Sequence, residues 1–187
     1  LQARSLPKGD VTVGYFGYLT PAWFDWELVA STARKHPRWV FHIVGYGEPV
    51  PVRLPDNVHL LGKVPHQELF AFAQNWDVAL VPFKVGALSQ GADPIKVYEY
   101  LTLGIPVVST GIPHLRSYPG VYAAEKPGDF SRCIERAARK GIDKKRVKEF
   151  VDAATWYQRG LGLIKAGEPD KSQIRLGAWL SGKGGAD

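Results

Sequence analysis

Residues 82–110 read PFKVGALSQGADPIKVYEYLTLGIPVVST, and this stretch decides the fold class. An apolar run that ends near Phe83 indicates a strand covered on both faces, and a loop of small and polar residues follows it. Asp93 and Pro94 then predict a helix start, because Asp is favoured as an N-cap and Pro at the first helical position. Gly104 is typical of a helix end. The stretch is therefore a strand–loop–helix–strand unit of a parallel sheet.

The same alternation of short apolar runs and helical patterns continues along the chain. The predicted strands are 11–16, 39–44, 57–61, 78–82, 106–109 and 121–124, and the predicted helices are 23–35, 67–73, 94–103, 130–140 and 146–163. This order predicts an α/β fold, a Rossmann-like parallel sheet with helices on both faces. We expect one domain over residues 1–167 and a peripheral or flexible tail over residues 168–187, which are Gly-rich and polar.

The composition limits the classes of function. The 187 residues carry a net charge of +6 and a lone cysteine, Cys133, which fits a reducing compartment. Residues 131–187 hold 13 Lys/Arg against 7 Asp/Glu, whereas the charges of the preceding residues cancel. The favoured interpretation of this excess is a solvated helical face, and an anionic membrane surface as a partner stays open. Nucleic acid is not expected, because no nucleic-acid-binding signature accompanies the charges.

The location follows from the same observations. No run of about 18 apolar residues is present, so we expect a cytoplasmic protein, with a peripheral place at the inner membrane face as the open alternative. The chain opens at Leu1 and contains no methionine, which suggests a fragment of a longer protein.

Lys96 is the strongest candidate for a ligand-binding residue. In the predicted register it occupies the third helical position, where the helix dipole favours anions and a cation costs about 0.3–1 kcal/mol. A phosphate bound at the free amides of this turn would reverse that effect. Glu99 lies one turn further on the same face, where it can accept hydrogen bonds from ribose hydroxyls. The alternative is a simple ion pair between Lys96 and Glu99.

Other candidates follow other strand ends, where ligands bind in open α/β sheets. Gly17 and Tyr18 follow the first strand, and they form either a close approach to a ligand or an ordinary tight turn. Lys63 and Val64 expose backbone suited to a flat base. Lys84 is either a second phosphate contact or a solvated loop lysine.

Metal and nucleophile chemistry lack support in the sequence. The five histidines show no metal-ligand spacing, and His42, within a strand, is more typical of a satisfied or half-exposed residue than of a ligand. No nucleophile elbow, Walker loop or G-x-G-x-x-G occurs. We therefore expect no metal and no cofactor, and we assign no catalytic residue.

Several segments taken in order resemble one family. Residues 93–101 and 103–110 resemble the donor-site signature of GT-B retaining glycosyltransferases, and the resemblance is closest to the teichuronic acid and polysaccharide-biosynthesis group. Further segments are similar to that group in the same order: 13–17, 23–28, 57–62 and 77–83. Trp156 resembles the tryptophan of its C-terminal helix.

The resemblance implies a C-terminal domain that binds a nucleoside-diphosphate sugar, with UDP-sugar favoured over GDP-sugar, for polysaccharide or glycoconjugate biosynthesis. Lys96 would then contact the donor diphosphate and Glu99 the ribose, at a helix start formed by Asp93, Pro94 and Ile95. The N-terminal acceptor domain would lie outside this chain, so we expect the fragment alone to be inactive. Two alternatives stay open, a GT-B-fold sugar-nucleotide epimerase and a non-catalytic domain for sugar-nucleotide binding or protein interaction.

Overall fold

The computed structural model describes residues 6–154, apart from the side chain of Leu88. Its strands are β1 (Thr12–Leu19), β2 (Val40–Gly47), β3 (Val58–Gly62), β4 (Val78–Pro82), β5 (Val107–Thr110) and β6 (Val121–Ala123). Its α-helices are α1 (Trp26–Lys35), α2 (His66–Ala73), α3 (Ala87–Gln90), α4 (Ile95–Thr102), α5 (Phe130–Lys140) and α6 (Lys144–Ala153). Two 3-10 turns lie at Pro113–Ser117 and Pro127–Asp129.

The six strands form one sheet in the order β3-β2-β1-β4-β5-β6, and every strand pair is parallel. β4 is buried along its whole length, as its continuous apolar run predicts. Side chains of the helices join the strands in one hydrophobic core, among them Val29 of α1, Leu101 of α4 and Ile134 of α5. The predicted α/β class with a Rossmann-like parallel sheet is confirmed.

The structure differs from the predicted elements at three places where the hydrogen bonds give the reason. β1 runs past Gly17 to Leu19, because it pairs with β2 along its whole length. α1 begins three residues later than predicted, since the Asp25 carboxylate accepts the N–H of Leu28 at 2.9 Å and caps the helix there. The predicted loop over residues 85–92 contains α3, whose first turn is closed by the Ser89 hydroxyl group, which accepts the N–H of Gly86 at 3.1 Å and donates to the carbonyl of Gly86 at 2.9 Å.

The predicted cap of α4 is wrong. The helix begins at Ile95 with Pro94 as its N-cap, so Lys96 is the second helical residue instead of the third. The Asp93 carboxylate accepts the hydroxyl groups of Tyr98 at 3.0 Å and Tyr118 at 3.3 Å. A tertiary contact has displaced the local capping preference.

His42 is a satisfied core residue, as its place in a strand predicts. Its Nε2 donates to the carbonyl of Pro7 at 2.9 Å, and its Nδ1 accepts the indole N–H of Trp76 at 3.2 Å. Only the neutral ring can make both bonds. Burial lowers the pKa of His42, which also favours the neutral form.

Some predictions fall beyond residue 154. The remainder of the predicted last helix, Trp156, the domain boundary at residue 167 and the tail over residues 168–187 lie outside the described residues. Among the described helices, none combines the length and the apolar character needed to cross a bilayer. Residues 6–154 also contain no group of three or more metal-ligating side chains.

Candidate functional site

The strand order reverses between β1 and β4, and a crevice opens at that point. β1 pairs with β2 from Thr12 to Leu19, but with β4 only at Val13 and Gly14. Beyond Gly14 the two central strands separate toward their carboxyl ends. Open α/β sheets bind their ligands at such a switch point, outside the carboxyl ends of the strands. The fold thus offers one preferred location for a ligand.

Tyr100 of α4 fills the floor of this crevice. Its hydroxyl oxygen accepts the backbone N–H of Phe16 at 2.9 Å, a group that β4 no longer pairs. The side chain is fully buried, and burial raises the pKa of Tyr100 well above its ordinary value, so the hydroxyl is neutral. This bond fixes α4 against the end of β1.

Lys96 points from α4 into the crevice. Its Nζ donates to the Tyr15 hydroxyl at 2.7 Å and lies 4.2 Å from the centroid of the same ring. The Phe83 ring, just after β4, lies 5.6 Å from Nζ on the other wall. A Cβ added at Gly17 would overlap Nζ, so a side chain at this position would displace the ammonium. Lys96 therefore bridges the ends of both central strands.

The charge of Lys96 has no carboxylate partner. No described acidic group lies within 4.0 Å of its Nζ. Burial lowers the pKa of Lys96 to about 8, although the negative charge of Glu99 opposes this shift. The side chain is still mostly protonated at pH 7. A cation is thus held in a poorly solvated crevice, where an anionic ligand would relieve its desolvation.

Glu99 does not pair with Lys96. Its Oε1 instead lies 3.4 Å from Nε2 of His66, at the start of α2, and its side chain is 23% exposed. The simple ion pair considered as an alternative is therefore absent from the structure. Glu99 keeps oxygen atoms accessible to a ligand beside the crevice.

The start of α4 adds backbone donors to the same place. The first amides of a helix, here those of Ile95 and Lys96, have no partner within the helix. Pro94 is half-buried, and Ile95 and Asp93 are exposed. The free amides and the Lys96 ammonium make this helix end a suitable place for a phosphate.

Gly17 and Tyr18 lie at the edge of the crevice, but not in a tight turn. Both belong to β1, and the Tyr18 carbonyl accepts the Tyr15 hydroxyl at 3.2 Å. The Tyr18 side chain is 55% exposed and contacts Tyr46 at the end of β2. The closest side-chain atom to an added Cβ at Gly17 is the Lys96 ammonium, and a close approach of Gly17 to a ligand stays a prediction.

The remaining predicted residues divide into two groups. Lys63 and Val64 lie on the segment between β3 and α2, just before His66, the first residue of α2, so they are on the Glu99 side of the site. Lys84 is exposed, and its side chain makes no hydrogen bond or ion pair with the described residues. Its backbone N–H donates to the Trp23 carbonyl at 2.8 Å and ties the loops after β1 and β4 together.

Sequence reasoning missed several side chains of this site, among them Tyr15, Tyr100 and His66. Tyr15 and Gly17 are two positions apart on β1, and this spacing indicates a shared face of the sheet. No local signal links Tyr100 to Phe16 or His66 to Glu99, because each pair meets only through the tertiary fold.

Comparison with known protein families gives a match over most of the described fold. Residues 11–140 match the family described as Glycosyl transferases group 1. The chain belongs to this family. One relative is TuaH of Bacillus subtilis (strain 168), whose name describes a teichuronic acid biosynthesis glycosyltransferase. The two sequences are 26% identical over 155 residues, which cover 75% of this chain and 38% of TuaH. The chain therefore spans well under half the length of this relative.

Solved structures of glycosyltransferases share the fold. The galactosyltransferase WaaB of the lipopolysaccharide outer core, in its apo form, superposes with a TM-score of 0.61 at 16% identity, covering 83% of this chain and 47% of WaaB. Sucrose-phosphate synthase from Thermosynechococcus elongatus gives a TM-score of 0.58 at 17% identity, covering 96% of this chain and 49% of that one. The C-terminal domain of LpcC from Francisella tularensis gives 0.53 at 13% identity, covering 81% and 88%. The fold is that of one half of a GT-B enzyme.

Proposed function

We propose that this chain is the donor-binding domain of a glycosyltransferase and that it binds a nucleoside-diphosphate sugar, with UDP-sugar favoured over GDP-sugar. The observation that carries the proposal is the partly buried ammonium of Lys96 at the switch point, which has no carboxylate within 4.0 Å among residues 6–154. A diphosphate supplies the missing negative charge, and the first amides of α4 supply hydrogen bonds to its oxygens.

The same groups suit the chemistry of glycosyl transfer. When the bond between the sugar and the diphosphate breaks, negative charge develops on the leaving phosphate oxygen. Lys96 and the amides at the start of α4 already lie where this charge would appear, so they stabilise it without rearranging. In this proposal Lys96 and the amides act only on the leaving group, and the acceptor is bound by other residues.

The positions of Glu99 and Gly91 suggest how a donor would be oriented in this proposal. Glu99 and its partner His66 lie toward the segment after β3, so a ribose read by Glu99 lies on the β2–β3 side of the diphosphate. The sugar then extends the opposite way, toward the segment between β4 and α4 that contains Gly91. Gly91 is exposed and a Cβ there would meet no atom within 4 Å, so this segment leaves open space for a sugar.

A second domain would complete the active site. Large apolar side chains are exposed at the carboxyl edge of the sheet and the start of α4, namely Tyr18, Tyr46, Val85 and Ile95. Exposed apolar surface of this kind suits an interface with another domain. We assign acceptor binding to that domain, and we propose a retaining reaction in polysaccharide or glycoconjugate biosynthesis on the basis of the sequence resemblance and the similarity to TuaH.

The basic region bears on location. In the described part of residues 131–187, one face of α5 is buried and its basic side chains are exposed, namely Arg132, Arg136, Arg139 and Lys140. Further basic side chains are exposed on α6, namely Lys144, Lys145, Arg146 and Lys148. We propose a cytoplasmic location, in which this face is solvated or meets an anionic inner membrane surface. Sedimentation with vesicles of anionic and of neutral lipid distinguishes the two, because only a membrane contact gives salt-sensitive binding to the anionic vesicles.

The proposal is tested by calorimetric titration of the chain with UDP, GDP, uridine and the corresponding sugar nucleotides. We expect binding of the nucleoside diphosphates and a large loss of that binding in Lys96→Ala. Lys35→Ala serves as the matched control, because Lys35 is an exposed lysine at the C-terminal end of α1, near the opposite edge of the sheet. Absence of nucleoside diphosphate binding by the unaltered chain, or an equal loss in both variants, would contradict the proposal.

A further inference from the structure

A cavity of about 260 Å³ opens at the carboxyl ends of β5 and β6. Its walls come from the end of β5, the turn at Pro113–Ser117, the segment after β6, and the loop after β4 that contains α3. The candidate diphosphate site lies between β1 and β4, and the strand order places β4 between that site and this cavity. The cavity is therefore separate from the crevice that holds Lys96.

The hydroxyl group of Ser109 distinguishes this cavity. Ser109 lies on β5, is 1% exposed and lines the cavity, and its hydroxyl has no hydrogen-bond partner among residues 6–154. The neighbouring hydroxyl of Thr110, by contrast, donates to the Phe83 carbonyl at 2.8 Å. Buried polar groups are nearly always hydrogen-bonded, and a strand covered on both faces normally carries an apolar residue at such a position. A ligand with polar groups in the cavity would supply the partner that Ser109 lacks.

The other polar side chains around the cavity suit a neutral ligand that both donates and accepts hydrogen bonds. The Gln90 amide can do both, Arg116 donates and Glu125 accepts. All three side chains are exposed, and the charges of Arg116 and Glu125 cancel, so they do not favour a phosphate. Apolar residues complete the wall, among them Val85, Ile112 and Pro113.

A sugar ring has the properties that this cavity requires. Its hydroxyl groups donate and accept hydrogen bonds, and its C–H groups form apolar faces. The volume of about 260 Å³ lies below the range of about 300–1,000 Å³ that is typical of drug-sized ligands, so the cavity suits one ring instead of a whole nucleotide. None of the described side chains that line it is aromatic, so it provides no surface for stacking a base.

We infer that the cavity at the ends of β5 and β6 is a binding site for one sugar ring, in which the Ser109 hydroxyl is the buried hydrogen-bond partner of a ring hydroxyl. The site goes beyond the proposed diphosphate site, because it uses neither Lys96 nor the start of α4. The ring belongs either to a nucleotide sugar or to a free saccharide. The first source rests on the proposed function, and the second does not.

The test compares the whole chain with Ser109→Ala, which removes the hydroxyl, and Ser109→Val, which fills part of the cavity with a residue favoured in strands. Calorimetry measures the affinities for UDP, UDP-glucose and UDP-galactose, and NMR titration measures those for free glucose, galactose and N-acetylglucosamine.

The two sources of the ring give different results. If the ring belongs to the donor, the advantage of a UDP-sugar over UDP should fall by about 2- to 10-fold in Ser109→Ala, as for one neutral hydrogen bond, and UDP affinity should not change. If the ring belongs to a free saccharide, binding of the free sugar should fall by the same factor, and UDP-sugar affinity should not change. Ser109→Val should reduce the same affinity further, because it takes up space in the cavity.

Arg116→Ala provides a second variant that leaves the core intact, because Arg116 is exposed, and it should weaken binding of the same sugar. Ser31→Ala is the matched control, since the Ser31 hydroxyl lies on α1 and donates to the Leu28 carbonyl at 3.1 Å. It should leave sugar binding unchanged. Urea unfolding separates binding from a structural role, because Ser109→Ala removes a hydroxyl without a partner and should not lower the unfolding midpoint.

Unchanged sugar affinity in both Ser109 variants would overturn the inference. An unaltered chain that binds no free sugar, and that binds UDP-sugars no more tightly than UDP, would overturn it as well. If the unaltered chain binds free sugars in a manner that depends on Ser109 but binds no nucleoside diphosphate, the proposed function fails and the sugar site stands.

Discussion

Replacing Lys96 with Met removes its charge, and the variant therefore reports separately on what this charge costs in fold stability and what it contributes to ligand binding. Burial lowers the pKa of Lys96 from its ordinary 10.5 to about 8, which corresponds to a cost of about 3 kcal/mol for the ammonium in the fold. Met keeps the length of the stem and removes the charge. The hydrogen bond to Tyr15, worth about 1 kcal/mol, is lost. We therefore expect the variant without ligand to be more stable at pH 7 by about 1–2 kcal/mol.

Urea unfolding measures the stability, and calorimetry measures the binding. A charged hydrogen bond to phosphate is worth about 1.5–3 kcal/mol, so Lys96→Met should weaken UDP binding by about 10- to 150-fold. Uridine, which has no phosphate, should bind the variant as it binds the unaltered chain. A variant that is less stable than the unaltered chain, or that loses UDP and uridine equally, would refute the reasoning.

The stability difference should also depend on pH. The pKa of Lys96 is lower in the fold than in the unfolded chain, so between pH 8 and 10.5 the unfolded chain binds more protons. The cost of the charge is therefore fully present below pH 8 and decreases as the pH rises above it. Lys96→Met lacks this group, so its advantage over the unaltered chain should shrink from pH 8 upward. A constant advantage between pH 7 and 9.5 would contradict the assignment.

Three further predictions concern Glu99, His42 and sugar transfer by the chain alone. Glu99→Gln should weaken UDP binding more than binding of the 2′,3′-dideoxyribose analogue, and an unchanged ratio of the two affinities in calorimetry would exclude ribose recognition. Burial lowers the pKa of His42 in the fold below its ordinary 6.5, so its neutral form contributes stability that is present above pH 6.5 and decreases as the pH falls below it; urea unfolding should show a weaker pH dependence in His42→Gln. The chain alone should transfer no sugar from any donor, and turnover measured in a donor-hydrolysis or transfer assay would show that these 187 residues need no second domain.

The sequence predicted β4 and α4 well because their signals are local. The apolar run 78–82 matches β4 at both ends, and Gly104 lies just beyond the end of α4. The position of Lys96 beside the carboxyl ends of the central strands was also predictable, because the helix that follows a parallel strand starts at that edge of the sheet; its role in binding a ligand stays a prediction. These inferences needed only the order of the elements and one charge at a helix start.

The side chains that complete the site depend on the tertiary fold. Tyr15 lies 81 residues before Lys96, and His66 lies 33 residues before Glu99. No sequence pattern links residues that are so far apart, so the sequence alone does not reveal either contact. Asp93 shows the opposite failure, since its capping preference is local and real, but the hydroxyl groups of Tyr98 and Tyr118 occupy its carboxylate.

The contacts of Lys96 explain why the fold holds a cation at some cost to its own stability. Tyr15 and Phe83 enclose the ammonium and reduce its contact with water, while the nearest acidic side chain on its helix, Glu99, is engaged with His66. A carboxylate close to Lys96 would stabilise the empty domain, but it would compete with the phosphate for the same charge. If a diphosphate binds as proposed, the charge of Lys96 would be neutralised only in the bound state. The stability gained by Lys96→Met and the affinity lost are therefore two measurements of one electrostatic arrangement.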